Sequence, residues 1–138
     1  MGNKVNPIGL RLGISRTWNS KWFAEKDYAS QLRQDLDIQK FVKGRLKHAA
    51  ISKIEVEHTA KRTKVNIFSA RPGIIIGRKG DEVESLKKEL SKRNYNDVTI
   101  NIKEIKRPEI DATLIAENIA SQLERRIAYR RAVKRSIQ

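Results

Sequence analysis

Two glycines bracket two cations at Gly77-Arg78-Lys79-Gly80. These residue types at this spacing suit the capture of an anion rather than bond-breaking chemistry. Glycine tolerates the left-handed backbone that ends a helical turn, so Gly77 is expected to stop the short apolar run from Gly73 to Ile76. Gly80 has no side chain to collide with an approaching phosphate backbone. The free N–H groups at the start of the next helix favour negative charge, and Arg78 and Lys79 add positive charge beside them. From Thr59 to Gly80 no acidic residue occurs, while Lys61, Arg62, Lys64, Arg71, Arg78 and Lys79 are all basic. The stretch is expected to form a positive ridge around the loop. Gly-x-x-Gly alone is a common spacing, and a plain helix–turn–helix junction uses the same two glycines. A Walker-type phosphate loop is excluded, because Gly73 to Gly80 lacks the Gly-Lys-Ser/Thr ending.

The whole chain carries the same sign. Thirty basic residues face sixteen acidic ones, for a formal net charge of +14 over 138 residues. A compact state with that excess repels itself, and such a balance points to a polyanionic partner. Nucleic acid is the first candidate and an anionic membrane surface the second. There is no cysteine, which excludes a disulfide framework and a thiolate metal site. No apolar run approaches the ~20 residues of a membrane span, and the N-terminus lacks a signal peptide's hydrophobic stretch. Met1-Gly2 fails the myristoylation pattern because Asn6 stands where Ser or Thr belongs. No cofactor or metal is called for, and a soluble intracellular protein is expected.

The elements that must position the loop follow from periodicity. Residues 1–22 are punctuated by Gly2, Pro7, Gly9 and Gly13, and their only charges are Lys4, Arg11, Arg16 and Lys21. They read as an irregular basic arm that orders against RNA or protein. A helical region follows from Ala24 to Lys47. Tyr28 and Leu32 make one stripe and Ile38, Phe41, Val42 and Leu46 another, so a break or kink is expected at Leu36-Asp37. In 51–59, Ile54, Val56 and His58 alternate with Lys53, Glu55 and Glu57. In 62–70, Val65 and Ile67 alternate with Lys64, Asn66 and Phe68. That is the period of a half-buried antiparallel pair, joined by a tight hairpin at Ala60-Lys61. After the loop, Val83, Leu86 and Leu90 line a helix whose acids come early and bases late, as its dipole prefers. Val98, Ile100 and Ile102 mark a third strand. A last helix starts between Pro108 and Asp111, with Ala112, Ile115, Ile119, Leu123 and Ile127 on one side. No Gly, Asn or Pro stops it before the chain end.

The order helix, strand, strand, short helix, loop, helix, strand, with Gly77 to Gly80 between helices after Ile74-Ile75-Ile76, resembles the second KH topology. That resemblance implies an α/β (α+β) fold of αββααβ type, with a three-stranded sheet packed by helices. It also implies that the loop clamps nucleic-acid backbone. The division expected is a basic N-terminal arm at 1–22, a KH RNA-binding domain at 23–107 and a C-terminal helical segment at 108–138.

A closer resemblance runs along the chain. Gly2-Asn3-Lys4-Val5-Asn6-Pro7-Ile8-Gly9-Leu10-Arg11-Leu12-Gly13-Ile14, Ala70-Arg71-Pro72-Gly73-Ile74-Ile75-Ile76-Gly77-Arg78-Lys79-Gly80 and Ser121-Gln122-Leu123-Glu124-Arg125-Arg126 are similar to segments of the bacterial ribosomal protein S-three family. The resemblance implies a structural component of the small-subunit head, bound to ribosomal RNA and neighbouring head proteins in the cytoplasm, with no membrane partner. An organellar ribosome fits as well. In that family a second α/β domain follows. Residues 108–138 are then expected to open it, the remainder being missing from this chain or supplied by a partner. The family also lines the path by which messenger RNA enters the subunit with cations. The matching residues are Arg130, Arg131, Lys134 and Arg135, which share one broad helical face and hold a single strand by its phosphates. A solvated helix end is the plain alternative. A free-standing KH regulator is the rival reading of the whole, although it has no evident use for the arm.

Other chemistry is weaker. Trp18, Trp22, Phe23 and Tyr28 are read as anchoring the arm to the core, with base stacking the alternative. His48 and His58 lack ligand spacing and read as surface or half-buried residues. Asp35 and Asp37 diverge on their helix, and Glu55 and Glu57 sit among lysines. No nucleophile–base arrangement is visible, and no enzyme is expected.

Overall fold

The computed structural model describes residues 2–59, 62–77, 80–93 and 97–137. The arm is less irregular than its glycines imply. Pro7–Arg11 forms a short helix, α1, because Asn6 caps it. The Asn6 side chain accepts from the Ile8 and Gly9 amides at 2.9 and 3.2 Å, and Pro7 takes the first helical position, where no N–H is needed. Ser20–Lys21 then makes a two-residue strand, β1.

Helix α2 runs unbroken from Tyr28 to Arg45, so the expected break at Leu36-Asp37 is absent. The phase shift there is a change of partner. Tyr28, Leu32 and Leu36 line a cleft against the arm, whereas Ile38, Val42 and Leu46 enter the core. A 3-10 turn at Lys47–Ala49 leads into β2 (Ile51–Thr59). β2 pairs antiparallel with β3 (Arg62–Ser69), the last pair being Thr59 and Arg62. The hairpin is therefore as expected, although Ala60 and Lys61 themselves lie outside the described residues. α3 (Pro72–Ile76) and α4 (Asp81–Lys92) flank the glycine loop. β4 (Asp97–Glu104) then lies parallel to β3 in the same sheet.

The three expected strands are present, and β1 adds a fourth beside β2, giving the order β1-β2-β3-β4. One sheet face carries Ile54, Val56, Val65, Ile67 and Val98. Against it pack Ile38 and Val42 from α2, Ile75 from α3, and Leu86 and Leu90 from α4. Ile75 is buried; Ile76, expected to pack beside it, is 44% exposed and Ile74 47%. The helix–strand–strand–helix–helix–strand order of a KH fold is thus built around one core.

After a 3-10 turn at Pro108–Ile110, α5 (Ala112–Glu124) starts on an Asp111 cap that accepts from the Thr113 and Leu114 amides. The continuous helix expected from there does not form. α5 ends at Glu124 and α6 (Tyr129–Ile137) folds back on it. The Arg126 amide donates to Leu123 O at 2.8 Å and the Ile127 amide to Gln122 O at 3.1 Å. This is the bonding of a Schellman stop. Its left-handed residue is Arg126, at φ 61°, where glycine or asparagine is usual. The buried residue of α5 is Leu114, with Ile115 and Ile119 half-buried and Leu123 exposed. Among the described residues no helix is long and apolar enough to cross a membrane.

Candidate nucleic-acid interface

The loop between α3 and α4 is shaped by its glycines. Gly77 sits at φ 69°, ψ −169°, a backbone open to glycine alone, and its amide closes α3 on Gly73 O at 3.0 Å. A Cβ placed there would stand 2.7 Å from Glu82 Cγ and 3.0 Å from Glu82 Cβ. Backbone conformation and packing therefore both demand glycine. Gly80 is left-handed, at φ 88°, ψ 4°, and precedes α4, but among the described residues a Cβ there would meet nothing within 4 Å. The open side of the loop is the Gly80 side. Arg78 and Lys79 lie outside the described residues. Asp81, Glu82 and Glu84 fill the first turn of α4 and already offset the positive end of its dipole. Cationic charge for an anion at this loop must come from side chains.

The other predicted cations that are described stand on several elements. Arg62 and Lys64 share a strand face with Asn66 and Phe68, opposite the buried face of Thr63, Val65 and Ile67. Both are exposed, and Arg62 Nε lies 3.7 Å from Asp97. Arg71 is exposed at the cap of α3. Lys61 lies outside the described residues. Lys4, Arg11 and Arg16 are exposed on the arm, where an Arg11 guanidinium nitrogen donates to Pro7 O at 2.8 Å. On α6, Arg130, Arg131, Lys134 and Arg135 are all exposed while Ala132 is fully buried on the other side, the single broad face expected. Arg130 Nε also donates to the Tyr129 hydroxyl at 3.0 Å.

Sequence reasoning missed the cluster that joins the arm to this body. Asp35, fully buried on α2, accepts from Trp22 Nε1 at 2.6 Å and meets His58 Nε2 at 2.5 Å. His58 Nδ1 in turn lies 2.9 Å from the Thr63 hydroxyl. Burial pushes the Asp35 carboxyl pKa up. Hydrogen bonds from His58, Ser20 and Trp22, with the charge of His58, outweigh that and hold it below the ordinary value. The signal was legible in part: Asp35 is in phase with Ile38, Val42 and Leu46, so it occupies a core position. The order carboxylate–imidazole–hydroxyl resembles a nucleophilic triad, but Thr63 is only 2% exposed. Of the aromatic cluster, Trp22 is half-buried and 5.3 Å from the Tyr28 ring, whereas Trp18 and Phe23 are exposed.

A second ion-paired site lies on the open sheet face. Glu55 is bridged by Lys53 at 2.6 Å and by Lys21 of the arm at 3.1 Å. Burial raises its pKa, and the two lysines outweigh this and lower it.

The model of the KH domain family matches residues 37–110, which spans α2 from Asp37, β2, β3, the glycine loop and β4. Along almost the whole chain there are relatives named small ribosomal subunit protein uS3. That of Geobacter sp. (strain M21) is 61% identical over 137 residues, covering 99% of this chain and 65% of its own length. That of Desulfatibacillum aliphaticivorans is 59% identical over 138 residues, covering 99% and 63%. That of Geobacter sulfurreducens is 56% identical over 137 residues, covering 99% and 65%. The chain thus spans a little under two thirds of the length of these relatives. The αββααβ body, its glycine loop and these matches agree, and the chain belongs to the KH-domain family as a relative of bacterial small ribosomal subunit protein uS3.

Proposed function

We propose that this chain is a structural constituent of the small ribosomal subunit and binds ribosomal RNA there. The observation that carries the reading is its 61% identity, over 99% of its length, to a protein named for that subunit. The physical features support it. The net charge of +14 suits a polyanion. Gly80, which follows Arg78 and Lys79 in the sequence, has no described atom within 4 Å of an added Cβ and so leaves room for a phosphate backbone. Lys4, Arg11, Arg16, Lys64 and Arg71 are exposed, and none is ion-paired with a described carboxylate. In this reading residues 1–22 are an arm, 23–107 the KH domain and 108–138 a helical segment beyond it. Other proteins of the subunit head are neighbours, and the site of action is the ribosome in the cytoplasm. The cationic face of α6, at Arg130, Arg131, Lys134 and Arg135, holds messenger RNA by its phosphates without reading bases.

Two measurements test this. The protein should co-sediment with small subunits at physiological salt. Arg78→Asp with Lys79→Asp should sharply weaken the isolated protein's binding to an unstructured RNA, whatever its sequence, with circular dichroism unchanged. Failure to co-sediment with RNA binding intact would replace the ribosomal role by that of a free-standing KH regulator. Equal affinities for two equally folded proteins would remove the loop from the interface.

A further inference from the structure

We propose that Asp35 is a latch that holds the basic N-terminal arm in one position on the KH body, with Trp22 of the arm as the inserted group and His58 of the sheet as the partner that keeps the carboxylate in place. The arm has little else to hold it. Its strand β1 is two residues long and makes one short parallel pairing, Ser20 with Val56 and Lys21 with Glu57. The Val56 amide donates to Asn19 O at 2.8 Å. Strands of that length are not stable alone. α1 has no buried residue, and Trp18 and Phe23 face solvent.

Against this stands one fully buried carboxylate whose two oxygens are taken by different elements. Oδ2 receives the Trp22 indole N–H and Oδ1 meets His58 on β2. Thr63 on β3 fixes the far nitrogen of the imidazole, and the Trp22 ring stands edge-on to it at 6.2 Å. Hydrogen bonds to a buried charge are the strong kind, and a buried charge stripped of one partner is costly. Arm, helix and both central strands are therefore tied at one point. The Lys21–Glu55 bridge adds a weaker, more exposed tie. The consequence for binding rests on the RNA reading above: an arm tethered at Trp22 presents Lys4, Arg11 and Arg16 with a smaller loss of entropy on contact.

The test uses the 138-residue chain and does not depend on RNA. Trypsin cleavage after Lys21 and exchange of the Val56 amide report the arm, while far-UV circular dichroism reports the body. Trp22→Phe removes the indole N–H while keeping an aromatic ring, though a smaller one, and His58→Ala removes the orienting imidazole. Each should speed arm cleavage and Val56 exchange by roughly ten- to hundredfold, the range set by one hydrogen bond to a charged group. Cooperative melting of the body should be kept. His58→Arg, which supplies a cationic donor to Asp35, should restore protection where His58→Ala does not. Asp35→Ala is a harsher variant, and the conclusion stands on Trp22→Phe if it does not fold. Wild-type protection in a folded Trp22→Phe protein, or equal opening in His58→Ala and His58→Arg, would overturn the latch. A released arm with unchanged RNA affinity would uphold the latch and strike the arm from the RNA interface.

Discussion

The body from Tyr28 to Glu104 and the α5–α6 hairpin use their apolar residues differently. In the body, the stripes that meet the sheet are fully covered: Ile38, Val42, Leu86 and Leu90 are all under 4% exposed. In the hairpin, Leu114 and Ala132 are buried, while Leu123, Tyr129, Val133 and Ile137 remain largely exposed. Both regions have helical periodicity, so periodicity alone does not tell which stripe is covered. A sheet face offers a wide apolar surface, and a pair of short helices covers only part of each other. The body is expected to carry the stability of the chain and the hairpin to be an attached element.

Core truncation should separate the two regions most strongly. Leu86→Ala removes a side chain 3% exposed at the sheet and is expected to cost about 2–5 kcal/mol. Leu123→Ala, at 44% exposed, should stay within ~0.5 kcal/mol. Urea titrations of both variants decide the matter. Similar losses would mean that the hairpin is as fully packed as the body.

Acid should come next, acting through the body. Asp35 and Glu55 have folded-state pKa values lowered below their ordinary range. A depressed carboxylate contributes stability above its unfolded value, and that contribution is lost as pH falls through the folded value. Stability should thus hold above about pH 5 and decline below about pH 4, where carboxylates ordinarily titrate. Asp35→Asn should flatten that decline, forfeiting about 1.5–3 kcal/mol at neutral pH. The check is the urea midpoint of both proteins between pH 7 and 3. Parallel curves would show that Asp35 keeps its ordinary pKa in the fold.

The glycine loop gives a third, smaller contrast, this time inside the body. Gly77→Ala meets Glu82 and an unfavourable backbone together, and should cost about 1–3 kcal/mol. Gly80→Ala meets only the left-handed backbone, for about 1 kcal/mol. Thermal melts of the two variants measure the gap. If Gly80→Ala proved the worse for stability, the packing of Gly77 on Glu82 would be wrong.

How much of this could be read in advance depended on which residue marked each feature. Glycine advertises a positive φ, so the Gly77 to Gly80 junction, the helices around it and the alternating strands were visible. The β4 partner and its direction were not, because pairing of residues 35 apart, as Arg62 with Asp97, leaves no local trace. Asn6 and Pro7 carry the signal of α1, but Pro7 beside Gly2, Gly9 and Gly13 reads as punctuation. The phase shift on α2 was real and its cause was not, since one straight helix can face two partners. Arg62 and Lys64 lie near the loop in sequence, and strand alternation sets the face they occupy. Asp35 is where local reading stops: nothing in its neighbours says that a tryptophan thirteen residues earlier and a histidine on β2 will converge on it.

The finest comparison sets Gly77 beside Arg126. Both have a positive φ at the end of a helix, at 69° and 61°, yet one is glycine and the other arginine. The Schellman bonds from Arg126 and Ile127 satisfy the last carbonyls of α5, and Ile127 is half-buried beside them, so the turn is held by its hydrogen bonds despite an unfavourable residue. A Cβ in this conformation crowds the following carbonyl oxygen and costs roughly 1–2 kcal/mol. Arg126→Gly removes that strain but also enlarges the freedom of the unfolded chain, which takes back about 0.4–1 kcal/mol. A net gain of about 0.5 kcal/mol is expected. Arg126→Ala keeps the Cβ, removes the charge and should change stability little. Hydrogen exchange of the Arg126 and Ile127 amides is the suitable measure, because it reports opening of the hairpin even where the body stays folded. Slower exchange in the glycine variant alone would establish a strained turn; equal slowing in the alanine variant would assign the effect to the guanidinium and leave the backbone unstrained.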